Sequence, residues 1–140
     1  MVYNMIMKTT LIAFAAVIVT MAIIDGAWLA TMSKSFYGVQ LKHLMAASPN
    51  LLPAIIFYLI YAIALAVIIV VPATKGTVDY RNVFLLGMLF GLAAYGTYDL
   101  TNQATLKQWP TLVTIVDLTW GSLLTGTVSA VAVYVTRYFV

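Results

Sequence analysis

Four long apolar stretches, each closed by a short polar interval, set the rhythm of this chain. They run approximately from Thr9 to Met32, Leu51 to Val71, Asn82 to Thr105 and Thr111 to Thr136. About 20 apolar residues in a helix cross a hydrocarbon core roughly 30 Å thick. A helix also satisfies its own backbone where no water is present, so the pattern predicts four membrane-crossing helices. The second stretch is the cleanest: it carries no charge, Pro49 and Pro53 stand at its start, and Pro72 follows its end. Proline favours those edges because it lacks the amide hydrogen that a helix interior needs. Between the first two stretches, Ser33 to Asn50 mixes Phe36, Tyr37, Val39, Leu41, Leu44 and Met45 with Lys34, Lys42 and His43. That mixture suits either a short interfacial amphipathic helix or an irregular polar connection. The predicted fold is therefore all-α: one integral membrane domain, residues 1–140, built as a four-transmembrane-helix bundle with a short interfacial segment between helices 1 and 2.

The informative residues are those that break the apolar pattern. Asp25, Asp99 and Asp117 lie inside the apolar stretches, and the chain has no glutamate. A carboxylate at membrane depth costs a few kcal/mol unless it finds a partner, a proton or water. Antiparallel spans bring the end of each odd helix and the start of each even one to the same face. Asp25 and Asp99 lie about seven and about six residues before the ends of their spans, and Asp117 about six after its span begins. At a rise of about 1.5 Å per residue, all three fall in one leaflet at a depth of roughly 10 Å. Trp28, Tyr58, Tyr95, Asn102 and Trp120 gather on the same side, whereas the other half offers Tyr3, Tyr80, Tyr134 and Tyr138 as an ordinary anchoring belt.

Composition agrees with the pattern and removes several function classes. Charged residues make up only 8% of the chain and hydrophobic ones 64%, against roughly 25% charged in soluble domains. The net charge of +3 comes from seven scattered bases, which gives no nucleic-acid footprint. Cysteine is absent, and the single His43 cannot build a multi-histidine metal centre. No zinc-protease helix motif, glycine-rich phosphate loop, paired aspartate motif or nucleophile elbow occurs. No cofactor and no metal site is expected, although three carboxylates in one pocket have the donor chemistry for a divalent ion or for acid–base work. Whether the chain is an enzyme is left open. The opening residues, with Lys8 before an apolar run, resemble a secretory signal superficially. The run continues past Asp25 to Met32 without a clean small-x-small site, so an uncleaved first span is expected.

Local spacing refines the candidates. Tyr95, Asn102 and Gln103 lie three or four positions from Asp99, so a hydrogen-bonded patch around that acid is sterically natural. Asp25 and Asp117 each precede a tryptophan, Trp28 and Trp120, by three positions, which sets each acid beside an indole one turn away. Gly87 and Gly91 on the third span, and Gly121, Ser122, Thr125, Gly126 and Ser129 on the fourth, are small enough to let two helices meet closely and bring Asp99 near Asp117.

Five strings, Asp25-Gly26-Ala27-Trp28, Phe57-Tyr58-Leu59-Ile60-Tyr61, Tyr95-Gly96-Thr97-Tyr98-Asp99-Leu100-Thr101-Asn102, Gln108-Trp109-Pro110 and Asp117-Leu118-Thr119-Trp120-Gly121, together resemble the DUF2177 family of predicted bacterial inner-membrane proteins. The resemblance covers nearly the whole chain and keeps the strings in order. It implies four spans and a bacterial origin, and it names no substrate.

The functional expectation is a one-sided intramembrane pocket of three aspartates that binds a lipid head group or a small polar or cationic solute, with transport as one use. Its ligand-binding residues are Asp25, Trp28, Tyr58, Tyr95, Asp99, Asn102, Asp117 and Trp120. The alternatives are an accessory or assembly subunit of a larger membrane complex, and a small lipid-modifying membrane enzyme. Expected partners are membrane lipids and a second copy or a larger membrane protein. Lys8, Lys75, Arg81 and Arg137 on the face of the termini, against Lys34, Lys42 and Lys107 on the other, point to a multi-pass inner-membrane protein with cytoplasmic termini.

Overall fold

The computed structural model describes residues 2–140. Four helices dominate it. Helix α1 is Val2–Met32, prolonged by a π-helical turn, Ser33–Tyr37, and a last turn, Gly38–Gln40. Helix α2 is Leu51–Leu65, prolonged by a second π-helical turn, Ala66–Val70, and by Val71–Ala73. Helices α3 and α4 are Tyr80–Thr105 and Thr111–Phe139. All four are long and apolar enough to span a membrane.

The boundaries have local causes. Asn50 caps α2 by accepting from the Leu52 amide at 3.1 Å, and Asp79 caps α3 by accepting from the Asn82 amide at 3.1 Å. Pro53 sits in the first turn of α2, where an amide hydrogen would find no helical acceptor in any case. Pro72 has the opposite effect: inside a helix its ring crowds the carbonyl four residues earlier and removes that carbonyl's donor. The chain answers just before it with the wide turn, in which the Val71 amide reaches back five residues to the Ala66 carbonyl.

The segment after the first span differs from both readings of its sequence. Ser33–Gln40 neither stands apart as an interfacial helix nor runs irregularly; it extends α1 to a continuous stretch, Tyr3–Gln40, of 38 residues. The irregular connection starts only at about Leu41.

Helix α4 is the centre of the bundle: half of its most apolar window is buried, against about a third or less for the other helices. Its closest neighbour is α3, and it also packs on α1. The α3–α4 approach is made by glycines. A Cβ on Gly87 would meet Ser129 Oγ at 2.5 Å and the Thr125 carbonyl at 2.8 Å, one on Gly91 would strike the Gly121 carbonyl, and one on Gly121 would enter the Tyr95 ring. Where lipid gives helices no hydrophobic reason to associate, such close backbone contact is what holds them together. Four hydroxyls buried along α4 are satisfied within the helix: Ser122, Thr125, Ser129 and Thr136 each donate to the carbonyl four residues earlier. A compact apolar core of Val17, Met21, Leu65, Val70, Leu124, Val128 and Val133 fills the space between α1, α2 and α4.

Candidate functional site

A cavity of about 450 Å³ opens between the helices, at the end of the bundle where α1 finishes and α4 begins. Asp25, Trp28 and Tyr37 line it from α1 and its extension, Phe57 and Tyr58 from α2, Ala94, Tyr95 and Tyr98 from α3, and Asp117 and Trp120 from α4. Among the described residues, no Lys, Arg or His lines it.

Two carboxyls are held in this wall by neutral donors. Asp25, only 4% exposed, accepts from the Trp120 indole at 2.9 Å through Oδ1 and from the Tyr58 hydroxyl through Oδ2. Asp117 accepts from the Tyr37 hydroxyl through Oδ1. The polarity of that second chain is fixed by chemistry. The Trp28 indole, a donor only, gives its hydrogen to the Tyr37 oxygen at 3.1 Å, so the single Tyr37 proton is free to go to Asp117. Trp28 and Trp120 lie face to face with ring centroids 4.1 Å apart and planes 10° from parallel, and so tie the two chains together. Below them the Thr125 hydroxyl donates to the Gly121 carbonyl at 2.6 Å, which leaves Tyr61 as the donor in its 2.7 Å bond to Thr125. This bond stitches α2 to α4 under the cavity.

Asp99 is different. It is fully buried against Asp117 in a carboxyl–carboxyl contact, which can hold one shared proton, and no other side chain among the described residues bonds to its oxygens. It stands behind the lining, not in it.

The structure thus brings seven of the eight sequence candidates to one place: Asp25, Trp28, Tyr58, Tyr95, Asp117 and Trp120 in the lining, and Asp99 behind it. Asn102 is half-buried outside the lining. Two local expectations need correction. The patch of Tyr95, Asn102 and Gln103 around Asp99 does not form, because the Asp99 oxygens bond to none of them and Gln103 donates to Thr111 at 3.2 Å. Nor does either acid bond to the tryptophan one turn away on its own helix. Asp25 takes the indole of Trp120 across the bundle, and Trp28 serves Tyr37, because side chains on the inner face point at the neighbouring helix more than along their own. Trp109, just before α4, folds back, buried, and donates to the Thr114 hydroxyl at 3.0 Å.

Of the lining residues outside the sequence candidates, which also include Phe57, Ala94 and Tyr98, Tyr37 is the one that hydrogen-bonds to an acid. On an uninterrupted α-helix, positions 28 and 37 are two and a half turns apart and face opposite ways. The π-helical turn changes that register, with the Gly38 amide reaching back five residues to the Ser33 carbonyl, and Tyr37 meets Trp28. No motif announces such a turn. The one available signal was an aromatic residue a few positions past an apparent helix end.

Four long apolar helices around a buried cluster of acids and aromatics define an all-helical, multi-span membrane protein. The chain belongs to the family described as Predicted membrane protein (DUF2177), whose model matches residues 10–134. No curated protein and no solved structure matches it.

Proposed function

We propose that the protein is a membrane-embedded binding protein whose pocket receives a lipid head group or a small polar or cationic solute within one leaflet, as a carrier or receptor for it. The observation that carries this reading is the cavity of about 450 Å³ with Asp25 and Asp117 in its wall. That size is in the range of small-molecule sites, which are mostly apolar with a few placed polar groups. The accessory-subunit alternative gains less support. Its acids would have to reach a partner's basic groups, whereas Asp25, Asp99 and Asp117 are at most 8% exposed and face into this one chain. The balance of Lys8, Lys75, Arg81 and Arg137 against Lys34, Lys42 and Lys107 favours cytoplasmic termini, and on that reading the pocket belongs to the outer leaflet of an inner membrane.

Native mass spectrometry of the protein released from mild detergent tests the reading. The expected result is a retained small molecule or lipid that is lost from Ala94→Phe, a substitution at a half-buried lining position whose ring fills the cavity. Equal retention by that variant, or no adduct from either protein, overturns the proposal.

A further inference from the structure

We infer that the pocket selects an alkylated ammonium group, of the trimethylammonium type, over a primary ammonium or a neutral group. The inference rests on the binding reading above and names its ligand class.

Three observations converge on it. The first is charge: two carboxyls line the cavity, a third, wholly buried, stands against Asp117, and no basic residue among those described lines the wall. A cation is the natural complement. The second is acceptor supply. Both Asp25 oxygens already accept from Trp120 and Tyr58, Asp117 Oδ1 accepts from Tyr37, and the Tyr37 oxygen accepts from Trp28. The acceptors of the wall with no donor from another lining residue are therefore Asp117 Oδ2 and the Tyr95 and Tyr98 hydroxyls, too few and too scattered to take a whole set of ammonium donors. A primary ammonium brings three donors and a guanidinium five, each of which needs an acceptor once water is left behind. A trimethylammonium brings none. The third is the wall itself. Trp28, Phe57, Tyr58, Tyr95 and Trp120 supply aromatic surface from all four helices, and alkylated ammonium groups are held by aromatic rings through their electron-rich faces. Hydrogen bonds from Trp120 and Tyr58 to Asp25 place negative charge directly behind two of those rings. Trp28 and Trp120 cover one face of each other, so the contact falls to their outer faces and to Phe57, Tyr58 and Tyr95, with the charge of Asp25 attracting from behind.

Calorimetric titration of the detergent-solubilised protein, in a maltoside that carries no ammonium group, tests this with three probes: choline, ethanolamine, and the neutral isostere of choline in which carbon replaces nitrogen. Choline is expected to bind about tenfold or more tighter than either comparator, the scale of a desolvated cation–π contact. Phe57→Leu, which removes a half-exposed ring that makes no hydrogen bond, should weaken choline several-fold without moving the melting temperature of the unliganded protein. Phosphatidylcholine and phosphatidylethanolamine, added singly, separate the sources: competition by phosphatidylcholine alone identifies a lipid head group, and choline binding without such competition identifies a free solute. Ethanolamine or the isostere binding as tightly as choline overturns the inference and leaves the pocket reading standing. Binding of none of these probes, in a protein that Ala94→Phe strips of a retained adduct, also overturns the inference alone; absence of both removes the two together.

Discussion

Tyr37 uses its oxygen twice, accepting from Trp28 and donating to Asp117, so one hydroxyl completes two buried groups. Tyr37→Phe is therefore expected to lower stability by more than the roughly 1–3 kcal/mol of a single unpaired buried group. Tyr58→Phe, which leaves only Asp25 Oδ2 without its donor, should stay within that range. Thermal melts of the two variants in one detergent order them. Asp25 and Asp99 should also part company. Asp25→Asn turns an amide N–H toward converging donors and is expected to destabilise by about 1–3 kcal/mol. Asp99→Asn offers Asp117 an amide N–H in place of a shared carboxyl proton and should melt at or above the wild-type temperature. The sequence made the acids conspicuous because each interrupts an apolar run. It could not show their partners, because a spacing of three residues reports neighbours on one helix while these bonds cross between helices, from Trp120 to Asp25 and from Tyr37 to Asp117.

Helices α3 and α4 are joined by backbone approach, and here spacing was a sound guide. Gly87 and Gly91 read as a close-contact face, and the structure sets them against Thr125, Gly126 and Gly121 with no room for a methyl group. Gly91→Ala and Gly121→Ala are each expected to cost about 1–3 kcal/mol as the helices are pushed apart and Tyr95 is displaced. Gly26→Ala is the control. Among the described residues, nothing lies within 4 Å of the place its Cβ would take, and in a helix interior the exchange should stabilise by roughly 0.5–1 kcal/mol. The extension of α1 was not legible in the same way. Ser33 and Lys34 look like the polar end of a span, and a π-helical turn has no sequence signature strong enough to say that the helix continues.

At the scale of the whole molecule, the bundle was readable because long apolar runs admit few solutions in lipid, and Leu51–Ala73 in particular has no competing interpretation. Orientation depends on seven charges and is open to direct measurement. The chain has no cysteine, so Thr77→Cys and His43→Cys, both at exposed loop positions, give a clean background for a membrane-impermeant maleimide on intact bacterial cells. Labelling of His43→Cys alone is the expected result; labelling of Thr77→Cys alone reverses the topology. The length of α1 has a further bearing on traffic. Its 38-residue stretch covers about 57 Å at a rise of about 1.5 Å per residue, well beyond a hydrocarbon slab roughly 30 Å thick. The helix must lean or overhang, and Tyr37 and Leu41, at its far end, overhang the cavity whose wall they share. If the cavity takes a ligand as proposed, that overhang shields it on one side, and the exposed rings of Phe57 and Tyr98 mark the flank left open to entry.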